Sequence, residues 1–587
     1  MRMRSIRIIS IILISALLLT GCTAAKEDTQ TGVSTQDSQS VQKGNTDAVG
    51  TTTSITSKIV VDTEFTARDL EVGYEETTAT HIILNGDSIA VSGEGATTAG
   101  NNLTITKEGS YVVEGILKDG QIIIDAGDND KIQLILNGAS ITCLSNAPIY
   151  IKNADKVFIT LAKATNNSLI DGSEYIQLDE NQVDGVIYSK SDLTLNGSGS
   201  LTITGNYKHG IVSKDDLVIT GGTYAINAVK DAINGKDCVK IKDGKFTLNA
   251  ATGNGIQSKN GDDTTKGYVY INGGTIDIVN SVEGIEGTAI VIEDGIININ
   301  SSDDGFNAAS KSTVASTEVS AYNATTSEVP SDNTAIAQRP GGMNPGAVQG
   351  GQMTEGQIPE GQIPEGQMPE GQIPEGQIPE GQMPDGQIPE GQIPDGQKPN
   401  RGFPGGGMGG KWNFGGGDDP FAVDENCYIK IAGGTITVNA QGDGIDSNGS
   451  LYISGGTIYI NGPTENMDSS IDYPGTGEIT GGIIVATGSA GMAQGFGETS
   501  TQCSMLYNLP SSVEAETAVI LTNSAGKEVI RFVPGKQYQS VVISSPELIQ
   551  GETYTLTCGN QTAEITLSSI TTSGGQSIGM GPRGMGR

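Results

Sequence analysis

The sequence predicts an all-β fold: a parallel β-solenoid with a long disordered insertion and a small C-terminal β cap. The first observation is an internal repeat. Turn motifs begin at Asp184-Gly185-Val186, His209-Gly210-Ile211, Asp231-Ala232-Ile233, Asn254-Gly255-Ile256, Glu283-Gly284-Ile285 and Asp304-Gly305-Phe306, which are 25, 22, 23, 29 and 21 residues apart. The pattern resumes at Asp443-Gly444-Ile445 and, more loosely, at Asn466-Met467-Asp468. The second is a companion signature within each unit, as in Leu217-Val218-Ile219-Thr220-Gly221-Gly222-Thr223 and Leu451-Tyr452-Ile453-Ser454-Gly455-Gly456-Thr457. The third is composition: 83 glycines and 5% aromatics suit repetitive strand and turn, not several ordinary globular domains. Units this short cannot bury an apolar face alone. Stacking them at strand spacing, ~4.8 Å, does so and pairs each strand with the coils above and below.

In chain order, residues 1–21 read as an export signal. Arg2, Arg4 and Arg7 precede an apolar run from Ile8 to Leu19, too short to span a bilayer, ending in Leu19-Thr20-Gly21-Cys22. That is a lipobox, and it predicts Cys22 as the acylated N-terminus of a chain anchored on the outer face of the cell membrane. Residues 22–57 are Thr, Ser, Gln, Asp and Gly, the composition of a flexible tether. Residues 58–310 are expected to form the first part of the solenoid with its N-terminal cap. The upstream strands lie at Ile122-Ile124, Ile132-Leu136, Ile149-Ile151 and Val157-Leu161.

Residues 311–424 interrupt the repeat. Nine pentapeptides from Glu355 to Pro399 place a proline at every fifth residue, which denies ladder hydrogen bonds and supplies no core. A plain spacer explains this segment better than a recognition arm. Residues 425–495 resume the solenoid. Residues 496–567 form the cap, with strands at Val519-Leu521, Val529-Phe532, Val541-Ile543 and Tyr554-Leu556, and 568–587 form a disordered Gly/Met tail.

A formal charge of −34 makes nucleic acid a poor partner, and an anionic ligand would need a bridging cation. Besides Cys22, the cysteines Cys143, Cys238, Cys427, Cys503 and Cys558 are scattered and odd in number, so they read as small core residues.

The turn motifs set oxygen-bearing side chains in two columns. The first runs Asp184, His209, Asp231, Asn254, Glu283, Asp304, Asp443. The second runs Asn234, Gln257, Glu286, Asn307, Asp446. With the insertion looped out, Glu283, Asp304 and Asp443 fall on consecutive coils. Carboxylates ~4.8 Å apart repel by roughly 3–4 kcal/mol at an effective dielectric near 20, and a cation would remove that. Hard oxygen donors in irregular turns suit Ca²⁺. Asp-Gly and Asn-Gly are also favoured turn formers whatever their function, so both readings stay open.

Catalytic signatures are missing. A calcium-assisted polysaccharide lyase usually needs an Arg or Lys as base and charge clamp, and no arginine occurs between Arg68 and Arg339, so the main solenoid lacks that residue type. Asp303-Asp304 has neither the Gly-His-Gly nor the Arg-x-Lys companion of a polygalacturonase. His209, between Lys208 and Gly210, reads as a turn residue.

The stretches Asp215-Asp216-Leu217-Val218-Ile219-Thr220-Gly221-Gly222-Thr223, Asp231-Ala232-Ile233-Asn234-Gly235-Lys236-Asp237 and Lys266-Gly267-Tyr268-Val269-Tyr270-Ile271-Asn272-Gly273-Gly274-Thr275 resemble a family of clostridial lipoproteins. Asp119-Gly120-Gln121-Ile122, Leu136-Asn137-Gly138-Ala139 and Ser544-Ser545-Pro546-Glu547-Leu548 fit as well, so the resemblance covers residues 82–567 apart from the insertion. It implies a right-handed parallel β-helix that binds cellulose and acidic sugars such as polygalacturonate without catalysis, with calcium on the helix. His209, Ala232, Asn254 and Glu283 depart from the family's Asp-Gly-Ile turns. The carry-over is best supported at Asp231, Glu283, Asp304, Asp443 and Asp446, with Glu286 and Asn307 completing the candidate calcium set. The expectation is a monomeric, noncatalytic surface lipoprotein that binds polysaccharide. The alternatives are a calcium-dependent polysaccharide lyase and a structural surface protein.

Overall fold

A computed structural model describes residues 59–310 and 422–576. The expected signal, tether and most of the insertion and tail lie outside the described residues, as does Cys22. The solenoid is present as a parallel β-helix with three faces. One is a sheet of its own, running from Asn102–Ile105 through Gln121–Asp125, Ile149–Asn153 and Ile285–Gly287 to Ile471–Asp472. The other two share a sheet because the long strand Lys131–Cys143 bends from one to the other.

Register converts the sequence period into core columns. On the first face Ile149, Ile187, Ile211, Ile233, Ile256, Ile285, Phe306, Ile445 and Ile471 stand directly above one another. All are fully buried. The second face aligns Val157, Leu193, Leu217, Val239, Val269, Ile290, Ile429 and Leu451. The third aligns Leu201, Tyr224, Phe246, Ile276, Ile297, Ile436, Ile458 and Ile484. Alternation of period two sends these side chains inward and their neighbours outward. The Gly-Gly-Thr signature turns the chain onto the third face. At Gly456 φ is +85°, and a Cβ there would lie 2.8 Å from Gly433 O on the coil below. A glycine meets both demands.

The coils on either side of 311–421 are adjacent. Phe306–Ala308 pairs with Ile445–Ser447 and Ala289–Ile292 with Tyr428–Ile431. Ser310 Oγ donates to Asp424 Oδ2 at 2.6 Å across the junction. Cys143, Cys238, Cys427, Cys503 and Cys558 are buried and form no disulfide among the described residues.

Three features were not apparent in the sequence. Residues 59–72 lie as a strap across the outer side of the second face. Ile59 packs with Tyr268, Tyr270 and Val291, and Arg68 stacks on Phe158 at 4.2 Å. In the cap, Val519–Asn523, Glu528–Phe532, Thr553–Cys558 and Gln561–Thr566 form an antiparallel sheet. Tyr538–Ser544, however, pairs with the last coil strand Ile483–Gly488 instead of joining that sheet. Its Val541-Val542-Ile543 run is fully buried, which is why it closes the open end of the solenoid. Thr571–Gly575, within the stretch read as a disordered tail, is a strand paired with Ser504–Asn508. An edge strand held by backbone bonds needs no apolar residues of its own, so composition does not reveal it.

Candidate functional site

The turn motif stands at the entry to each strand of the first face. Its glycine is set by close approach: a Cβ on Gly255 would lie 2.7 Å from Gly284 O of the next coil. Its leading residue has a stacking task. Asp231 Oδ1 accepts the Asn254 N–H (3.0 Å), Asn254 Oδ1 accepts the Glu283 N–H (3.1 Å), and Asp304 Oδ1 accepts the Asp443 N–H (2.7 Å). Asp443 Oδ1 accepts the Ser469 N–H in turn. A short side chain with an oxygen on its γ carbon caps the next coil, and Asn serves as well as Asp. This explains the column without any ligand, up to one of the two carboxylate oxygens.

Backbone register puts His209, Asp231, Asn254, Glu283, Asp304, Asp443 and Ser469 in the first column. One member differs from the sequence reading: Gly185, not Asp184, is in register with His209. Ser469, not the looser turn start Asn466, follows Asp443. The second column is Asn234, Gln257, Glu286, Asn307, Asp446 and Asp472.

Glu283 breaks the capping pattern. One methylene longer than Asp, it turns toward the second column, where Oε1 accepts Asn307 Nδ2 at 3.0 Å. Its Oε2 is buried with no hydrogen-bond partner among the described residues, as is Asn307 Oδ1. Asp443, Asp446 and Asp472 bring carboxylate oxygens within 4.8 Å of one another. Burial pushes Glu283 up to about 8, helped by the Glu286 and Asp304 charges against the Asn307 bond and Lys259. Burial raises Asp304 to about 7, reinforced by Asp303, Asp468 and Asp472. Asp443 rises to about 7 from burial and from Asp304 and Asp472. Asp446, for which no donor is found among the described residues, rises to about 8 from burial, then Asp304 and Asp443. Asp472 is raised by burial. This cluster resists full ionisation without a countercharge.

Two candidate ligands stand apart. Burial would raise Asp231, but His209, the Asn254 N–H and Asn234 Nδ2 (2.6 Å) hold its carboxyl below the ordinary range. Glu286 is enclosed by Asn254 Nδ2 (2.5 Å), Gln257 Nε2 and the Lys259 ammonium. Both are satisfied by the protein. Asp472 was missed by the sequence reading, because Ser470-Ile471-Asp472 lacks the Asp-Gly lead. The matching Gly444-Ile445-Asp446 step was the signal that could have found it. A second group, Asp192, Asp215 and Asp216, also has oxygens within 4.8 Å of one another, at the entry to the second face.

The all-oxygen donors, two of them buried without partners, fit a hard cation such as Ca²⁺. Among the described residues the arginines are Arg68, on Gln133 and Phe158, and Arg531, on Glu528.

Residues 99–356 match a family model described as carbohydrate-binding domain-containing protein. The match covers less than half of the chain. A protein of the same description from Acetivibrio thermocellus is 38% identical over 150 residues, 25% of this chain and 52% of that relative. The chain thus spans about half the length of the curated relative it matches. A solved structure described as a polysaccharide lyase-like protein from C. thermocellum, in a gadolinium derivative, aligns at 33% identity. The alignment covers 40% of this chain and 91% of that one, with a TM-score of 0.33.

Proposed function

We propose that this chain is a noncatalytic, lipid-anchored surface protein that binds plant cell-wall polysaccharide, cellulose or acidic sugars such as polygalacturonate, with calcium support. The observation that carries the reading is the carboxylate cluster at Glu283, Asp304, Asp443, Asp446 and Asp472. It pairs raised carboxyls with buried oxygens that lack partners. Glu283, Asp304, Asn307, Asp443, Asp446 and Asp472 would hold the ion, with Asp231 and Glu286 as satisfied neighbours that stiffen the column. Bound calcium supplies positive charge that lets the carboxylates ionise together and lets a uronate approach an acidic protein. Similarity to carbohydrate-binding domain-containing proteins supports the ligand class. A periodic edge presented to a periodic polymer adds weak contacts through multivalency.

The test is retention of the purified protein on polygalacturonate and on cellulose, with calcium and with chelator, while ultraviolet absorbance follows unsaturated products. Retention on polygalacturonate with calcium, loss of it with chelator, and constant absorbance are expected. Rising absorbance would overturn the noncatalytic assignment, and no retention on either polymer would overturn the binding assignment.

A further inference from the structure

The same turn edge has a different chemistry at its other end. Between the first coils, Asn101, Asn102, Asp119, Gln121, Ser145 and Leu178 help line a cleft of about 380 Å³. That volume lies within the span of small-molecule sites, roughly 300–1,000 Å³. Its floor is built and rigid. Gln121 and Asn146 are only 2% and 3% exposed. Gln121 Nε2 donates to Asn146 Oδ1 (3.2 Å) and Ala147 O (2.7 Å), and Asn146 Nδ2 donates to Ile176 O (2.7 Å). Asp119 Oδ1 accepts the Leu144 N–H at 3.0 Å.

Leu178, 54% exposed, lines the cleft. Leu144 and Ile176, 60% and 69% exposed, flank it: Leu144 lies between the lining residues Cys143 and Ser145, and the Ile176 N–H bonds to Ser145 O at 2.7 Å. Exposed aliphatic side chains beside a polar cleft mark a contact surface. Amides and a carboxylate below with aliphatic groups above complement a pyranose, whose hydroxyls need hydrogen-bond partners and whose C–H face needs an apolar wall. Asp119 is the charged group among the lining residues, and its negative charge disfavours a uronate.

We infer that this cleft binds an uncharged pyranose unit, a neutral-sugar subsite separate from the cation cluster. The assignment rests on the carbohydrate-binding reading above. Six coil steps separate the Gln121 strand from the Glu286 strand, roughly 30 Å at strand spacing.

Calorimetric titration of the full chain with cellohexaose, xylohexaose and mannohexaose in chelator tests this. Among the described residues Asn102 makes no side-chain hydrogen bond, and both Asn102 and Leu178 are exposed, so Asn102→Ala and Leu178→Asp should leave the melting temperature unchanged. At least one hexasaccharide should bind the parent, and each variant should weaken it at least about fivefold, near 1 kcal/mol. Calcium-dependent retention on polygalacturonate should stay at the parent level. Parent-like hexasaccharide affinity in both variants, or no hexasaccharide binding by the parent, would overturn the subsite. If polygalacturonate retention survives either result, the broader reading stands. If the parent binds neither class of polymer, the broader reading falls too.

Discussion

At the scale of single residues, the turn column divides Asp304 and Asp443 between two tasks. One oxygen caps the next coil's N–H, and the other is left for charge chemistry. Replacing Asp304 and Asp443 together by Asn keeps the capping acceptor and removes two charges. The double variant should fold like its parent, but the rise in melting temperature with calcium should disappear, since only binding to the folded state produces that rise. Differential scanning calorimetry with calcium and with chelator measures both; an unchanged calcium response would remove these residues from the site. The raised carboxyls also set a pH dependence for the metal-free protein. Glu283, Asp304, Asp443 and Asp446 have folded values near 7 to 8, above the 3.8 to 4.5 of the unfolded chain. The unfolded state therefore releases its protons first. Their contribution is complete below about pH 4 and is lost as pH rises toward about 8. In chelator the melting temperature should fall across that window, and calcium should suppress the fall. A flat chelator profile would contradict the burial of these groups.

At the scale of elements, the strap of residues 59–72 is held by two ion pairs in different surroundings. Asp69 is 2% exposed, takes Thr194 Oγ1 at 2.6 Å and Lys156 Nζ at 2.9 Å, and accepts from Thr66. Burial would raise its carboxyl, but these partners hold it below the ordinary range. Asp62 meets Lys240 at 2.6 Å with its own side chain 61% exposed. Asp69→Ala leaves Lys156 and Thr194 without their buried partner and should cost about 3–5 kcal/mol. Asp62→Ala removes a carboxylate that is itself mostly exposed, but it leaves the Lys240 ammonium, 5% exposed, held by Glu64 O and the Phe65 ring, and should cost about 1–3 kcal/mol, less than Asp69→Ala. Urea unfolding of the two variants gives the comparison; equal losses would mean that the strap contributes as a packed segment and not through Asp69.

At the scale of the whole molecule, the coils next to residues 311–421 stack as directly as any other pair. Deleting Val329–Gly417 removes no described residue and retains the Ser310–Asp424 contact. The melting temperature should therefore move by no more than about 2 °C, since loop closure depends only weakly on length. Loss of cooperative unfolding would show that the deleted segment supports the coils. The surface assignment has its own test. Cys22→Ala should move the protein from the membrane fraction to the medium or leave it unprocessed, and continued lipid labelling of the variant would refute acylation at Cys22.

The sequence by itself determined the parallel solenoid, its inward columns and the neighbours of the acidic residues. Each is written locally, in alternating strands and in a turn that returns at nearly constant interval. Ile256, Ile285, Phe306 and Ile445 align from the sequence alone, even across the insertion. Tertiary structure decided the details that depend on reach and on distant partners. Glu283 leaves the capping column because its side chain is one methylene too long. Asp472 enters the cluster through a register that its Ser469-Ser470 lead hides. Asp231 and Glu286 are removed from the open cluster by His209 and Lys259, which approach from neighbouring coils. The strap and the Tyr538–Ser544 strand bind surfaces far away in sequence, where no periodicity announces them. A repeat encodes which residues share a column, but side-chain length and long-range packing decide which oxygens remain without a partner.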